Sequence, residues 1–151
     1  MDLPFKSIAL STIVHATESE GKLKKAIGDL IPERVEIEKE EVEGHYGDPK
    51  VIISVSLTRR PDMRLFWDQI LNRLEERTLD WLKENALDLV SDDCRLYLRF
   101  DKQLLISDGE LRYISSGDVI HVRLNVSAYP AKKKIAVDKV KKFVNSDFEY
   151  G

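Results

Sequence analysis

Cys94-Arg95-Leu96-Tyr97-Leu98-Arg99-Phe100-Asp101 is the stretch that decides how the rest of the chain is read. Cys94, Leu96, Leu98 and Phe100 fall on one side of a period of two, and Arg95, Tyr97, Arg99 and Asp101 fall on the other. Such a segment is a strand with one face in a core and one face in water. The same pattern returns at Ile120, Val122, Leu124, Val126 and Ala128, with His121, Arg123, Asn125, Ser127 and Tyr129 opposite them. Sheets wetted on one side are typically antiparallel, because parallel sheets are covered on both faces.

Working outward, residues 5–16 read as another strand. Ile8, Leu10 and Val14 form its apolar face, with Lys6 and Thr12 at that face's looser positions. Thr17 resembles an N-cap, and Glu20 three residues later completes a capping box. The helix that follows carries Leu23, Ala26, Ile27 and Leu30, and Pro32 stops it. A strand is expected over 34–43, with Val35 and Ile37 alternating against Glu36 and Glu38. Another holds Val51, Ile53, Val55 and Leu57. Pro61 suits the first turn of a helix whose stripe is Met63, Phe66, Trp67, Ile70, Leu71 and Leu74. A shorter helix places Leu79, Leu82, Ala86 and Leu89 together. Residues 102–118 stay open between helix and strand, with turn signals on either side of Glu110–Ile114. Pro130 precedes a lysine-rich helix bearing Ile135, Ala136, Val140, Phe143 and Val144, and a frayed tail is expected from 145 to 151. The expected fold class is α+β: a mainly antiparallel sheet with helices packed on one face, a two-layer sandwich, as a single domain over 1–151.

The 151 residues are 42% hydrophobic and 34% charged, enough for a real core and incompatible with disorder throughout. No apolar run approaches the roughly 20 residues of a membrane helix. The start of the chain has neither the basic nor the apolar region of a secretory signal. Cys94 is the only cysteine, so neither an internal disulfide nor a thiolate metal cluster can form. A cytoplasmic location is the expectation. The net charge of −3 speaks against nucleic acid as a partner, but its distribution does not. Residues 17–43 hold nine acidic and five basic side chains, whereas residues 94–134 hold eight basic and four acidic ones.

Phosphate-binding glycine loops, the dinucleotide fingerprint and the nucleophile elbow are all missing from the sequence. Cys94 belongs to an apolar face, as a structural thiol does. His15 and Glu18 straddle a strand end and a helix cap, so their side chains need not converge on a metal. No metal, cofactor or catalytic residue is assigned. The basic face is more informative. Arg95, Arg99 and Arg123 carry charge for phosphates, while Tyr97 and Tyr129 offer rings for unpaired bases. Lys132, Lys133 and Lys134 extend that region, even though cations at a helix start are slightly unfavourable. In Gly44-His45-Tyr46-Gly47 the glycines either relieve a plain turn or present His45 and Tyr46 for stacking.

Four blocks occur in order: Val14-His15-Ala16-Thr17-Glu18, Glu43-Gly44-His45-Tyr46-Gly47-Asp48-Pro49, Leu96-Tyr97-Leu98-Arg99-Phe100-Asp101-Lys102-Gln103, and Asp118–Arg123 with Ala128-Tyr129-Pro130-Ala131-Lys132. Together they resemble a family of small archaeal proteins described as predicted RNA-binding proteins or predicted exosome subunits. The resemblance spans roughly residues 5–144. It implies a fold similar to the large-subunit ribosomal protein that binds 5S RNA, and a non-catalytic role beside RNA, with exosome or ribosome-related proteins as partners. The chain departs from the family in its apolar Leu104-Leu105-Ile106 and its heavily acidic 33–43 segment.

The expected function is therefore that of an RNA-binding accessory protein. Arg95, Arg99, Lys102, Arg123, Lys132, Lys133 and Lys134 would contact phosphate, and His45, Tyr46, Tyr97 and Tyr129 the bases. Two other readings stay open. One is a protein-interaction module that docks on a ribonucleoprotein complex without touching RNA. The other is an enzyme built around His15, Glu18 and His45.

Overall fold

A computed structural model describes residues 3–44 and 47–147. Its elements run β1 (Phe5–Val14), α1 (Glu20–Gly28), β2 (Glu38–Glu43), β3 (Pro49–Leu57), α2 (Arg60–Arg73), α3 (Glu76–Asn85), β4 (Arg95–Asp101), α4 (Lys102–Asp108), β5 (Val119–Val126) and α5 (Lys133–Asp147). The five strands form one open sheet in the order β2-β3-β1-β5-β4, and every neighbouring pair is antiparallel. The architecture is α+β, as the alternation at 94–101 predicts.

One face of the sheet is core. Ile8, Leu10 and Val14, then Ile53, Val55 and Leu57, then Leu96, Leu98 and Phe100, then Ile120, Val122 and Leu124 are all buried against α1, α2 and α5. Phe5, Trp67 and Phe143 form its aromatic centre, with ring centroids 5.2–6.0 Å apart. Tilted and edge-on contacts of this kind stabilise beyond the area they bury. On the other face the alternate positions of β1, β4 and β5 are half-buried or exposed, and among the described residues no helix covers them.

Several local expectations change. The β1–β5 ladder slips between Phe5 and Ser7, so Phe5 turns into the core and Lys6 is exposed, although the period of two assigned Lys6 to the apolar side. A β-bulge has this effect, because two residues oppose one and the alternation reverses. The N-cap of α1 is Ser19, whose hydroxyl accepts from the Lys22 N–H at 3.2 Å, and not Thr17. Residues 15–18 are already committed to a turn closed by Glu18 N–H to His15 O at 2.9 Å. β2 begins at Glu38, four residues later than expected; Val35 and Ile37 pack on the core from the preceding loop. The tail assigned to 145–151 is helical through Asp147.

The open stretch 102–118 has two parts. Asp101 caps α4 by accepting from the Leu104 N–H, and Gly109 ends the helix in the left-handed region at φ 70°. The chain then runs along the outer edge of β4. Asp101 N–H donates to Arg112 O at 2.9 Å, and Ile114 N–H donates to Arg99 O at 3.1 Å. At the other end of β4, Ser91 N–H donates to Arg95 O at 2.8 Å. Both ends of that edge are thus hydrogen-bonded, while β2 closes the opposite side of the sheet with Glu38, Glu40, Glu41 and Glu43 along an exposed strand.

Candidate nucleic-acid interface

Strand register assembles the uncovered face. Arg95 lies opposite Asn125, Tyr97 opposite Arg123, and Arg99 opposite His121. On the far side of β5, Asn125, Arg123 and His121 lie beside Ser7, Ala9 and Ser11 of β1, and Ser11 in turn faces Ser54 of β3. Tall cationic and aromatic side chains on β4 and β5 therefore border short ones on β1 and β3. The step between them is a shallow depression of about 340 Å³ lined by Ala9, Ser11, Ser54, Ser56, Tyr97, His121 and Arg123.

The groups on this face fix one another. The Tyr97 hydroxyl beside it, and then Asp93 at 3.4 Å, raise the Arg95 guanidinium above its ordinary value. Asn125 Nδ2 donates to Ser7 Oγ at 2.6 Å, tying β5 to β1. Partial burial, and then the neighbouring Arg99 charge, push the His121 imidazole below its ordinary value. His121 stands on this face in the sequence pattern but was not among the expected RNA contacts; its pairing with Arg99 is what brings it in.

Arg95, Tyr97, Arg99 and Arg123 are thus brought together. Tyr129 and the lysines lie beyond the end of β5, on the side where Arg95 begins β4. Tyr129 is 96% exposed, Lys132, Lys133 and Lys134 are exposed, and Lys133 Nζ is 3.5 Å from Asp92. His45 and Tyr46 lie outside the described residues.

Lys102 is a correction. Its side chain has 0% exposure, so it presents nothing to a phosphate. Nζ instead donates to Ile13 O at 2.7 Å and Glu18 Oε1 at 2.7 Å, and lies 2.9 Å from Asp118 Oδ1. Gln103 Nε2 donates to the second oxygens of the same two carboxylates, at 2.9 and 3.0 Å. Burial alone would push the Glu18 carboxyl up, but the hydrogen bonds from Lys102, the His15 N–H and Gln103 outweigh it and hold it below its ordinary value. His15 Nε2 is 3.7 Å from Asp118. His15, Glu18 and Asp118 therefore do converge, with ligand atoms within 4.8 Å of one another, which the spacing of His15 and Glu18 alone did not require. The Lys102 ammonium already lies against both carboxylates, where a metal ion would have to sit.

Cys94 is buried at the head of β4. Among the described residues, no helix is long and apolar enough to cross a membrane.

Known proteins share this fold. The chain is 32% identical over 146 residues to the RNA-binding protein PAB1135 of Pyrococcus abyssi, a match covering 93% of this chain and 94% of that one. Mth689, a DUF54 protein from Methanothermobacter thermautotrophicus, superposes with a TM-score of 0.77 at 29% identity over 93% of this chain and 98% of its own. AF2318 from Archaeglobus fulgidus, also DUF54, gives 0.78 at 30% identity over 91% and 98%. The sequence model of the family described as RNA binding matches residues 7–126, from the bulge in β1 to the last residue of β5 and so across the whole sheet, and the chain belongs to that family.

Proposed function

We propose that the chain works as one non-catalytic RNA-binding domain, gripping single-stranded RNA on the uncovered face of β4 and β5. The observation that carries this reading is the register that stands Arg95, Tyr97, Arg99 and Arg123 side by side on a face no helix covers. Guanidinium groups neutralise phosphates and tyrosine rings accept stacked bases, a combination suited to unpaired strands. Tyr129 and Lys132, Lys133 and Lys134 extend the track past the end of β5, and His45 and Tyr46 keep their place as outlying candidates. The name of the Pyrococcus abyssi relative supports the same choice of ligand.

An accessory role in the cytoplasm, beside exosome-like or ribosome-related machinery, is the finer part of the proposal. The polarity of the sheet supports it: the glutamates of β2 repel a phosphate backbone and so leave that edge free for a cationic protein surface. If only that edge functions, the chain is a docking module and RNA contact is incidental.

Salt-dependent binding to a single-stranded oligonucleotide tests the proposal. Each neutralised phosphate contributes a log–log slope of about −0.7, so three arginines and one lysine give a slope of about −3. Arg99→Ala with Arg123→Ala should flatten it by about 1.4. A flat response in the wild-type chain, or no binding at low salt, removes the reading.

A further inference from the structure

Trp81 is unaccounted for by the sheet face. It lies off the apolar stripe of α3 and remains 38% exposed, whereas the chain's other tryptophan, Trp67, is completely buried. Its indole stacks on Tyr113, with centroids 4.4 Å apart and planes 25° from parallel. The pair stands in a groove of about 730 Å³ between the first turns of α3 and the segment 112–116, walled also by Arg77, Arg112, Ser115 and Ser116. That volume lies within the range of small-ligand sites.

The walls are held from both sides. Tyr113 pairs with Phe100 at the covered edge of β4, and its N–H donates to the buried Thr78 hydroxyl at 3.1 Å. Thr78 donates to Glu75 Oε1 at 3.2 Å, and Arg112 Nε donates to the same oxygen at 2.9 Å. The hydrogen bond from Arg112 outweighs partial burial and keeps the Glu75 carboxyl below its ordinary value. Glu75 is thereby neutralised within the wall, and Arg77 leaves the groove with a surplus positive charge. The groove adjoins the outer edge of β4, because Ile114 in its wall donates its N–H to Arg99 O and is followed directly by Ser115 and Ser116.

We propose that this groove is a second RNA subsite, in which one unpaired nucleotide leaves the β4–β5 face, passes over the β4 edge and stacks its base on the Trp81–Tyr113 pair, its phosphate meeting Arg77. The inference rests on the reading of the sheet face given above. An indole with a free face stacks on any base, whereas Ser115 and Ser116 are placed to meet a base edge. The platform is preorganised, so little ordering is required when a base arrives.

The two tryptophans make the test direct, since Trp67 is a buried internal reference. Intrinsic emission and the anisotropy of a labelled single-stranded oligouridylate are followed together on the full chain. RNA should quench Trp81 emission. Trp81→Leu, which keeps apolar bulk without a ring, should weaken binding about tenfold, equivalent to about 1.4 kcal/mol. Trp81→Phe should restore most of the affinity, and Arg77→Gln should reduce the salt slope by about 0.7. Thermal melting of each variant controls for folding, and if the leucine variant does not fold the Arg77→Gln slope carries the test, an unchanged slope overturning the groove. Quiet emission and full affinity in Trp81→Leu, with a slope still dependent on Arg99 and Arg123, overturn the groove and spare the sheet face. Emission that responds to a proline-rich peptide but not to RNA also overturns it, since the groove then docks protein. A wild-type chain that binds no RNA removes both readings.

Discussion

Lys102 Nζ and Glu18 Oε1 lie 2.7 Å apart although 84 residues separate them in the chain, and no solvent reaches the lysine. The contact joins the start of α4 to the turn after β1 and, through Asp118, to the start of β5. Deleting one member of a buried ion pair leaves its partners uncompensated. Both carboxylates still reach solvent, so Lys102→Met should sit at the lower end of such losses, about 3 kcal/mol by denaturant titration. The affinity of the folded fraction for RNA should not change. A drop in affinity without a drop in stability would return Lys102 to the binding surface.

Glu18 gives this cluster a pH dependence with a definite sign. Its folded value lies below the ordinary value of 4.5, so the folded state binds fewer protons than the unfolded chain in that region. The contribution is complete above 4.5 and is lost as pH falls through the folded value. Acid denaturation of Glu18→Gln should therefore begin from a lower plateau and show a shallower loss than wild type. Parallel acid limbs would contradict this account.

Trp67 lies between Phe5 and Phe143 at the centre of the core. Trp67→Ala should cost about 3–5 kcal/mol, the range for large aromatic truncations. The check is a urea melt followed by far-ultraviolet circular dichroism. Normal stability with a lost partner would make the α2 stripe an interface instead of a core.

Tyr129 sits at the opposite extreme, nearly all of its surface in water. Tyr129→Ala should leave the melting temperature unchanged and weaken single-stranded RNA about tenfold, since one stacked base is worth about 1–3 kcal/mol. Unchanged affinity would end the track at β5.

His121 should respond to its neighbour. Burial and then Arg99 lower its titration, so the face gains this charge only below the ordinary histidine range. RNA affinity should rise as pH falls below the ordinary histidine value of about 6.5. Without RNA, the same depression means that this contribution to stability is complete above the unfolded value and is lost as pH falls through the lower folded value. Arg99→Ala should move the His121 ring-proton titration upward in NMR, and no movement would show that burial alone sets it.

The sheet and its faces were legible because a period of two survives any tertiary context that leaves one side wet. Arg95, Tyr97 and Arg99 could be placed together from spacing alone, and so could Arg123 on its own strand. Lys102 could not. It follows the strand by one residue, where the period changes from two to 3.6, and its burial depends on carboxylates from two distant segments. Lys6 failed for a related reason, since a bulge reverses the alternation without altering composition. The capping signals at Asp101 and Gly109 were present, but three apolar residues in a row between them hid a short helix. Trp81 left a trace: a large ring outside the stripe Leu79, Leu82, Ala86 had no reason to be buried.

The two borders of the sheet are protected by different means, with different consequences for how copies of the molecule meet in solution. Hydrogen-bonded segments occupy both ends of β4, and that protection does not depend on ionic strength. β2 relies on its glutamates. Charge repulsion between like strands reaches about 10 Å at 0.1 M salt but only about 3 Å at 1 M. An unpaired strand edge whose charges are screened is a template for its own twin. Self-association in concentrated salt should therefore run through β2 alone, pairing two molecules across a two-fold axis into one continuous ten-stranded sheet and stopping there, because each β4 border stays closed to further growth.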